Sequence, residues 1–202
     1  MSASQKLFEK IMSIPQGRVF CANDFSDMGS KGNIDVILHR ISKQGIIRQL
    51  GYGLYDLPKK SGLLGDLSPD IKDIMDAYSR RMGQSFVLDP LNATNALGIT
   101  TQVPSRLTYL TNGKSHTLYI CGLDIHLVHA SPKMIVGAMT PIGIVIQALR
   151  YFGSQGVPDH VIKLIARKIS KDDLDFLISM KNKIVRNLIP SIDRIAKYAT
   201  IH

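Results

Sequence analysis

Thiols are scarce in this chain. Cys21 and Cys121 are the only two cysteines, and they form no CxxC pair. A structural zinc site on thiolates and a disulfide scaffold are therefore excluded. Unpaired cysteines point to a reducing, cytoplasmic setting. Glutamate is scarcer still: Glu9 stands alone, and the other acids are aspartates. HExxH metalloproteases are out, as is a nuclease core built on an aspartate followed by ExK. No GxSxG, P-loop or GxGxxG fingerprint occurs. No long apolar run occurs either. Met134 to Leu149, an uncharged stretch as long as any in the chain, contains Thr140, Pro141, Gly143 and Gln147. It is shorter than the ~20 residues a spanning helix needs and reads as a buried helix with its approach. The opening MSASQKLFEKI is interrupted by Lys6, Glu9 and Lys10, so a signal peptide is not expected.

Positive charge is abundant. The 202 residues carry 25 Lys+Arg against 16 Asp+Glu, a formal net charge of +9. Residues 1–60 hold nine basic and five acidic residues, residues 61–140 six of each, and residues 141–202 ten basic and five acidic. Two basic ends around a neutral middle suggest a polyanionic partner, most simply nucleic acid, or else solvated basic surfaces. Apolar content of 45% and charged content of 20% are those of an ordinary globular protein.

In the first sixty residues, Leu7, Ile11 and Ile14 space a helix, with Ser4 as its cap and Pro15 and Gly17 as its stop. Arg18-Val19-Phe20 reads as extended, Ala22 to Met28 as a short helix with Phe25 inward, and Gly29 to Asn33 as a turn. Ile34, Ile37, Leu38 and Ile41 then follow the i, i+3, i+4, i+7 pattern of one apolar helix stripe. Asn33, Asp35, Val36, His39, Arg40 and Lys43 lie opposite, and Gly45 ends the helix. Ile46 to Leu50, the turn Gly51-Tyr52-Gly53 and Leu54 to Leu57 form a hairpin.

Helix, short strand, helix, turn, helix, hairpin is the order of a winged helix-turn-helix. Its third helix enters the major groove with its N-terminal residues on base edges. Ser30, Lys31 and Asn33 stand at that end, where Asn pairs with adenine and Lys reaches guanine or phosphate. His39 lies on the same helix, Arg40 and Lys43 are placed for phosphates, and Arg48, Gln49 and Tyr52 are expected on the wing. Asp35 and His39 count against a phosphate-facing helix.

The stretch His39 to Pro58, HRISKQGIIRQLGYGLYDLP, closely resembles the end of the winged helix in AbiEi-type antitoxins of type IV toxin–antitoxin systems. Asn95-Ala96-Leu97-Gly98-Ile99, Thr101-Gln102-Val103-Pro104 and Leu107 to Gly113 are similar to a second series in that family. Together these cover about residues 5–131. The resemblance implies a bifunctional protein. Its winged helix binds inverted-repeat operator DNA and represses its own operon as a transcriptional repressor. Its C-terminal domain counteracts a nucleotidyltransferase-like toxin by functional antagonism rather than in a stable complex. A stand-alone regulator without a toxin is the neighbouring reading.

Lys59 to Gly65 reads as the connection between a winged-helix domain, 1–60, and an α+β domain, 61–202. Ser68-Pro69-Asp70 is expected to start a helix with Ile71, Ile74, Met75 and Tyr78 inward. Arg80 and Arg81 in its last turn complement the helix dipole, or Arg81 binds phosphate. Pro90 to Leu97 reads as a second helix. Arg106–Thr111, His116–Cys121 and Asp124–His129 read as a small antiparallel meander turning at Asn112-Gly113, with Cys121 in the core. The tail is helical: Ile142–Phe152, Pro158–Ile169, a long helix from Ser170 through Leu188, and a last helix after Pro190. Lys181, Lys183, Arg186, Arg194 and Lys197 line its exposed faces, to contact DNA or an acidic toxin surface, or to stay solvated. The class is α+β.

Asp124, His126 and His129 are the best metal candidates, but alternation turns His129 away from the other two. Asp172, Asp173 and Asp175 sit where acids partner a helix N-terminus. No metal, cofactor, membrane partner or catalytic residue is expected. A DNA-binding regulator leads, ahead of a protein-contact winged helix and of an enzyme fused to one.

Overall fold

The computed structural model describes residues 3–63 and 65–199. The chain divides into two compact units, Met1–Gln84 with Ile120–Leu123, and Ser85–Tyr119 with Asp124–His202. The class is α+β, with helices and small sheets in separate runs along the chain. Among the described residues no helix is long and apolar enough to cross a membrane.

In the first unit α1 (Ala3–Met12) leads to β1 (Val19–Cys21), a 3-10 turn over Ala22–Phe25 and α2 (Lys31–Lys43). Ser4 lies inside α1 rather than capping it. The segment expected as a helix from 22 to 28 tightens to one turn because the Asp24 carboxylate folds back onto the Cys21 amide at 2.9 Å. Ser30 caps α2, accepting from the Asn33 amide at 3.4 Å. Strands β2 (Arg48–Gly51) and β3 (Leu54–Asp56) follow, and the sheet runs β1-β3-β2, antiparallel throughout. Leu7 and Ile11 of α1 meet Ile34, Ile37, Leu38 and Ile41 of α2 around Phe20, Phe25 and Tyr55. One apolar core thus fixes which face of α2 turns inward.

The connection at 59–65 forms a tiny hairpin, β4 (Lys60–Ser61) with β5 (Gly65–Asp66). Leu64, within that connection, lies outside the described residues. The first unit continues through α3 (Ile71–Met82), which packs on β1 and β3 with Ile74, Met75, Ala77 and Tyr78 buried. Its cap is Asp70, whose carboxylate accepts from the Lys72 amide at 2.7 Å; Ser68 and Pro69 therefore precede the helix.

The second unit holds β6 (Phe86–Leu88), α4 (Pro90–Ala96), β7 (Leu107–Thr111), β8 (His116–Ile120), β9 (Leu123–His129) and α5 (Pro141–Tyr151), except for Ile120 and Leu123 at the joined ends of β8 and β9. After these come α6 (Asp159–Lys168), α7 (Lys171–Ser179) and α8 (Ile189–Ala199). Its sheet order is β6-β7-β9-β8, and β7 pairs with β9 in parallel. The expected meander is thus corrected: β8 does not return onto β7. The left-handed two-residue turn falls at Cys121 and Gly122, with φ of 52° and 76°, whereas Asn112 and Gly113 lack positive φ. Two consecutive residues with φ > 0 define the tight hairpin turn that suits strand twist. Cys121 is accordingly a half-buried turn residue, not a core strand residue.

The long helix expected from Ser170 also breaks. α7 ends at Ser179, and short 3-10 turns at Lys181–Lys183 and Arg186–Leu188 lead into α8. Pro190 sits in the first turn of α8, where a missing amide hydrogen leaves no intrahelical bond unmade. Ile142, Ile146 and Leu149 of α5 pack with Val161, Ile162 and Ile165 of α6 and with Leu177, Leu188, Ile192 and Ile195.

Candidate nucleic-acid interface

The buried stripe of α2 leaves its other face to solvent. Lys31, Gly32, Asn33, Val36, His39, Arg40 and Lys43 are all exposed. Successive helix residues are 100° apart, so Gly32, Val36, His39 and Lys43 form the central strip. Asn33 and Arg40 flank it on one side and Asp35 on the other. Among the described residues, the side chains of Lys31, Asn33, His39 and Lys43 have no hydrogen-bond or ion-pair partner. Arg40 is exposed and donates to the Ser4 hydroxyl at 2.7 Å, which ties the end of α2 to the start of α1. Ser30 is exposed, but its hydroxyl serves the cap.

Asp35 does not present a bare carboxylate. Nη1 of Arg81 donates to both of its oxygens at 3.0 Å. Arg81 belongs to the last turn of α3, where Arg80 pairs with Asp24 at 2.5 Å and donates to the Val19 carbonyl at 3.2 Å. The two arginines thus fasten α3 to β1 and α2. Arg81 also lies against the hairpin turn: a Cβ on Gly53 would stand 2.8 Å from its guanidinium, and Gly53 has φ of 70°. Glycine there answers both the left-handed turn and the close approach. Tyr52, exposed and itself at φ 53°, meets Tyr78 of α3 edge to face with ring centroids 6.1 Å apart. Burial pushes the Tyr78 phenol pKa up.

The nine candidate residues therefore separate. Asn33, His39, Arg40 and Lys43 gather on one exposed helix face, Lys31 is exposed in the first turn beyond Asp35, and Gln49 is exposed on β2. Arg48 is turned inward. Its Nε and Nη2 donate to Asp56 at 3.0 and 2.6 Å, and Nη2 also donates to the Leu67 carbonyl at 2.8 Å. Asp56 is fully buried, and hydrogen bonding to it raises the Arg48 pKa above its ordinary value. Arg48 is a structural partner, because a buried carboxylate without its cation is strongly unfavourable.

The metal candidates do not converge. His126 Nδ1 meets the Thr117 hydroxyl at 3.2 Å, and His129 Nδ1 meets the Gly113 carbonyl at 2.8 Å. Asp173 and Ser170 share a reciprocal cap at the start of α7. Among the described residues no group of three His, Cys, Asp or Glu could hold a metal ion.

Sequence reasoning missed the Arg81–Asp35 pair, since residues 46 positions apart leave no periodic signal. The exposed opposite face of α2 was signalled by its apolar stripe. No curated protein matches the chain. A model of DUF6088, described as a family of unknown function, matches residues 6–177. That match spans most of the sequence, and the chain belongs to the DUF6088 family.

Proposed function

We propose that the chain is a sequence-specific DNA-binding regulator of winged helix-turn-helix design. In this reading α2 enters the major groove and the β2–β3 hairpin is the wing. The observation that carries it is the division of α2: four buried isoleucine and leucine side chains on one face, unpartnered Asn33, His39 and Lys43 on the other, with Lys31 exposed in the first turn. Pairing of Asp35 with Arg81 supports it further, because the one acid on this helix is neutralised. The order α1, β1, a one-turn segment, α2 and hairpin supports the winged-helix assignment. The α2 N-terminus adds amide donors and a positive dipole end suited to phosphate.

The resemblance of residues 39–58 and 95–113 to AbiEi-type antitoxins supports a fuller version. The protein then represses its own operon from inverted repeats in the cytoplasm, and its C-terminal domain, 61–202, antagonises a nucleotidyltransferase-like toxin without enzymatic activity of its own. The test is a gel-shift titration with the DNA upstream of the gene against scrambled duplex, at two salt concentrations. A specific shift that weakens with salt is expected. Equal shifts on both duplexes would overturn sequence-specific repression.

A further inference from the structure

We infer that α2 selects an A·T-containing step, with Val36 against a thymine methyl and Asn33 on an adenine beside it. The inference rests on the DNA-binding reading above and gives it a sequence preference.

Val36 is 68% exposed at the middle of the central strip of α2. It contributes nothing to the core, which Ile34, Ile37, Leu38 and Ile41 complete. A β-branched side chain on an exposed helix face is also a poor helix former. Folding therefore gives no reason for valine at this place. One turn earlier stands Gly32, where an added Cβ would meet nothing within 4 Å. Neither packing nor a positive φ requires glycine there. Its effect is to leave the helix surface bare beside Val36, so that a base edge can approach closely.

In the major groove the only apolar feature of a base edge is the thymine 5-methyl group. Valine matches it and offers nothing to the other three base edges. Asn33 carries the amide that pairs bidentately with adenine, and its side chain has no partner among the described residues. Residues three apart on a helix are surface neighbours, about 5–6 Å between Cβ atoms. The two side chains therefore reach the same or adjacent base pairs.

The test uses the full chain and a duplex bound specifically, obtained by selection from random sequence. Each thymine is replaced in turn by deoxyuridine, which removes the methyl and leaves the hydrogen-bonding edge intact. At one position the replacement is expected to weaken wild-type binding about fourfold, the value of burying one methyl group. Val36→Ala is expected to lose a similar factor on the thymine duplex and to be indifferent to deoxyuridine there. Circular dichroism checks that the variant is folded. Specific binding with no thymine coupled to Val36 overturns the inference and leaves the DNA-binding reading standing. Failure to select any duplex fails that reading itself. Unchanged DNA binding by Val36→Ala, with loss of self-association in sedimentation, would make Val36 a protein contact and likewise overturn the inference.

Discussion

The two basic ends of this chain carry similar excess charge and deploy it in different ways. In residues 1–60, Arg40 and Lys43 share the exposed face of one helix, and Lys31 is exposed in the first turn of the same helix. In residues 141–202 the cations are dispersed or engaged. Arg194 donates to Asp159 and to the Val157 carbonyl, Lys181 pairs with Asp193, and Lys168 reaches the Leu97 carbonyl. Lys163 stands 5.4 Å from the Tyr198 ring centroid. Arg167, Lys171, Lys183, Arg186 and Lys197 are spread over α6, α7, the 3-10 turns and α8. Net charge alone does not distinguish these ends. Placement of several exposed cations on one rigid element does, because phosphate neutralisation needs several of them at once.

The sharpest way to break this contrast is Arg48→Ala. If Arg48 is structural, its loss strands the buried Asp56 carboxylate and costs about 3 kcal/mol of stability by denaturant titration. The salt dependence of DNA binding by the folded fraction should stay unchanged. A normal denaturation midpoint with a shallower salt dependence would return Arg48 to the phosphates.

Next in size is the pair Lys31→Ala with Lys43→Ala. Losing two phosphate contacts should reduce the slope of log K against log salt by about 2. The matched tail pair, Lys183→Ala with Arg186→Ala, should leave the slope alone. Equal losses from both pairs would erase the distinction between the two ends.

Arg81→Met probes the acid on α2. It frees Asp35 to repel phosphate, and binding should weaken by about 1 kcal/mol in a double-mutant cycle with Asp35→Asn, which restores most of it. Additive effects would mean that the 3.0 Å pair does not bear on DNA.

Ser30→Ala is the smallest change. Removing the cap should lower stability by about 0.5 kcal/mol, the low end for such sites, since the capping hydrogen bond is long at 3.4 Å. Ser30→Asn should restore it. A larger loss of DNA affinity than of stability would place the hydroxyl on the DNA.

Periodicity made α1, α2 and α3 legible, because each buries one stripe and shows another to water; α5, buried almost all round, was legible from its uncharged run from Pro141 to Leu149 and its stop at Gly153. The hairpin at Tyr52-Gly53 was equally legible from its turn residues. Strand β6 escaped, since Phe86-Val87-Leu88 is too short for alternation to register. The order β7-β9-β8 escaped for another reason: Asn112-Gly113 carries the residues of a tight turn, yet Cys121-Gly122 makes it. Turn propensity is local, whereas strand partners are chosen by the whole sheet. Of the candidate interface, the exposed face of α2 could be read in advance. The inward turn of Arg48 and the Arg81–Asp35 pair could not, because both depend on which distant carboxylates the fold brings within reach.

The most direct test of the central claim is a fluorescence-anisotropy titration of the full chain on its upstream duplex from low to high salt, repeated with the Lys31→Ala, Lys43→Ala variant. Specific binding whose steep salt dependence flattens in the variant is the predicted result. Absent binding, or a slope the variant leaves unchanged, would contradict the assignment of α2 to DNA.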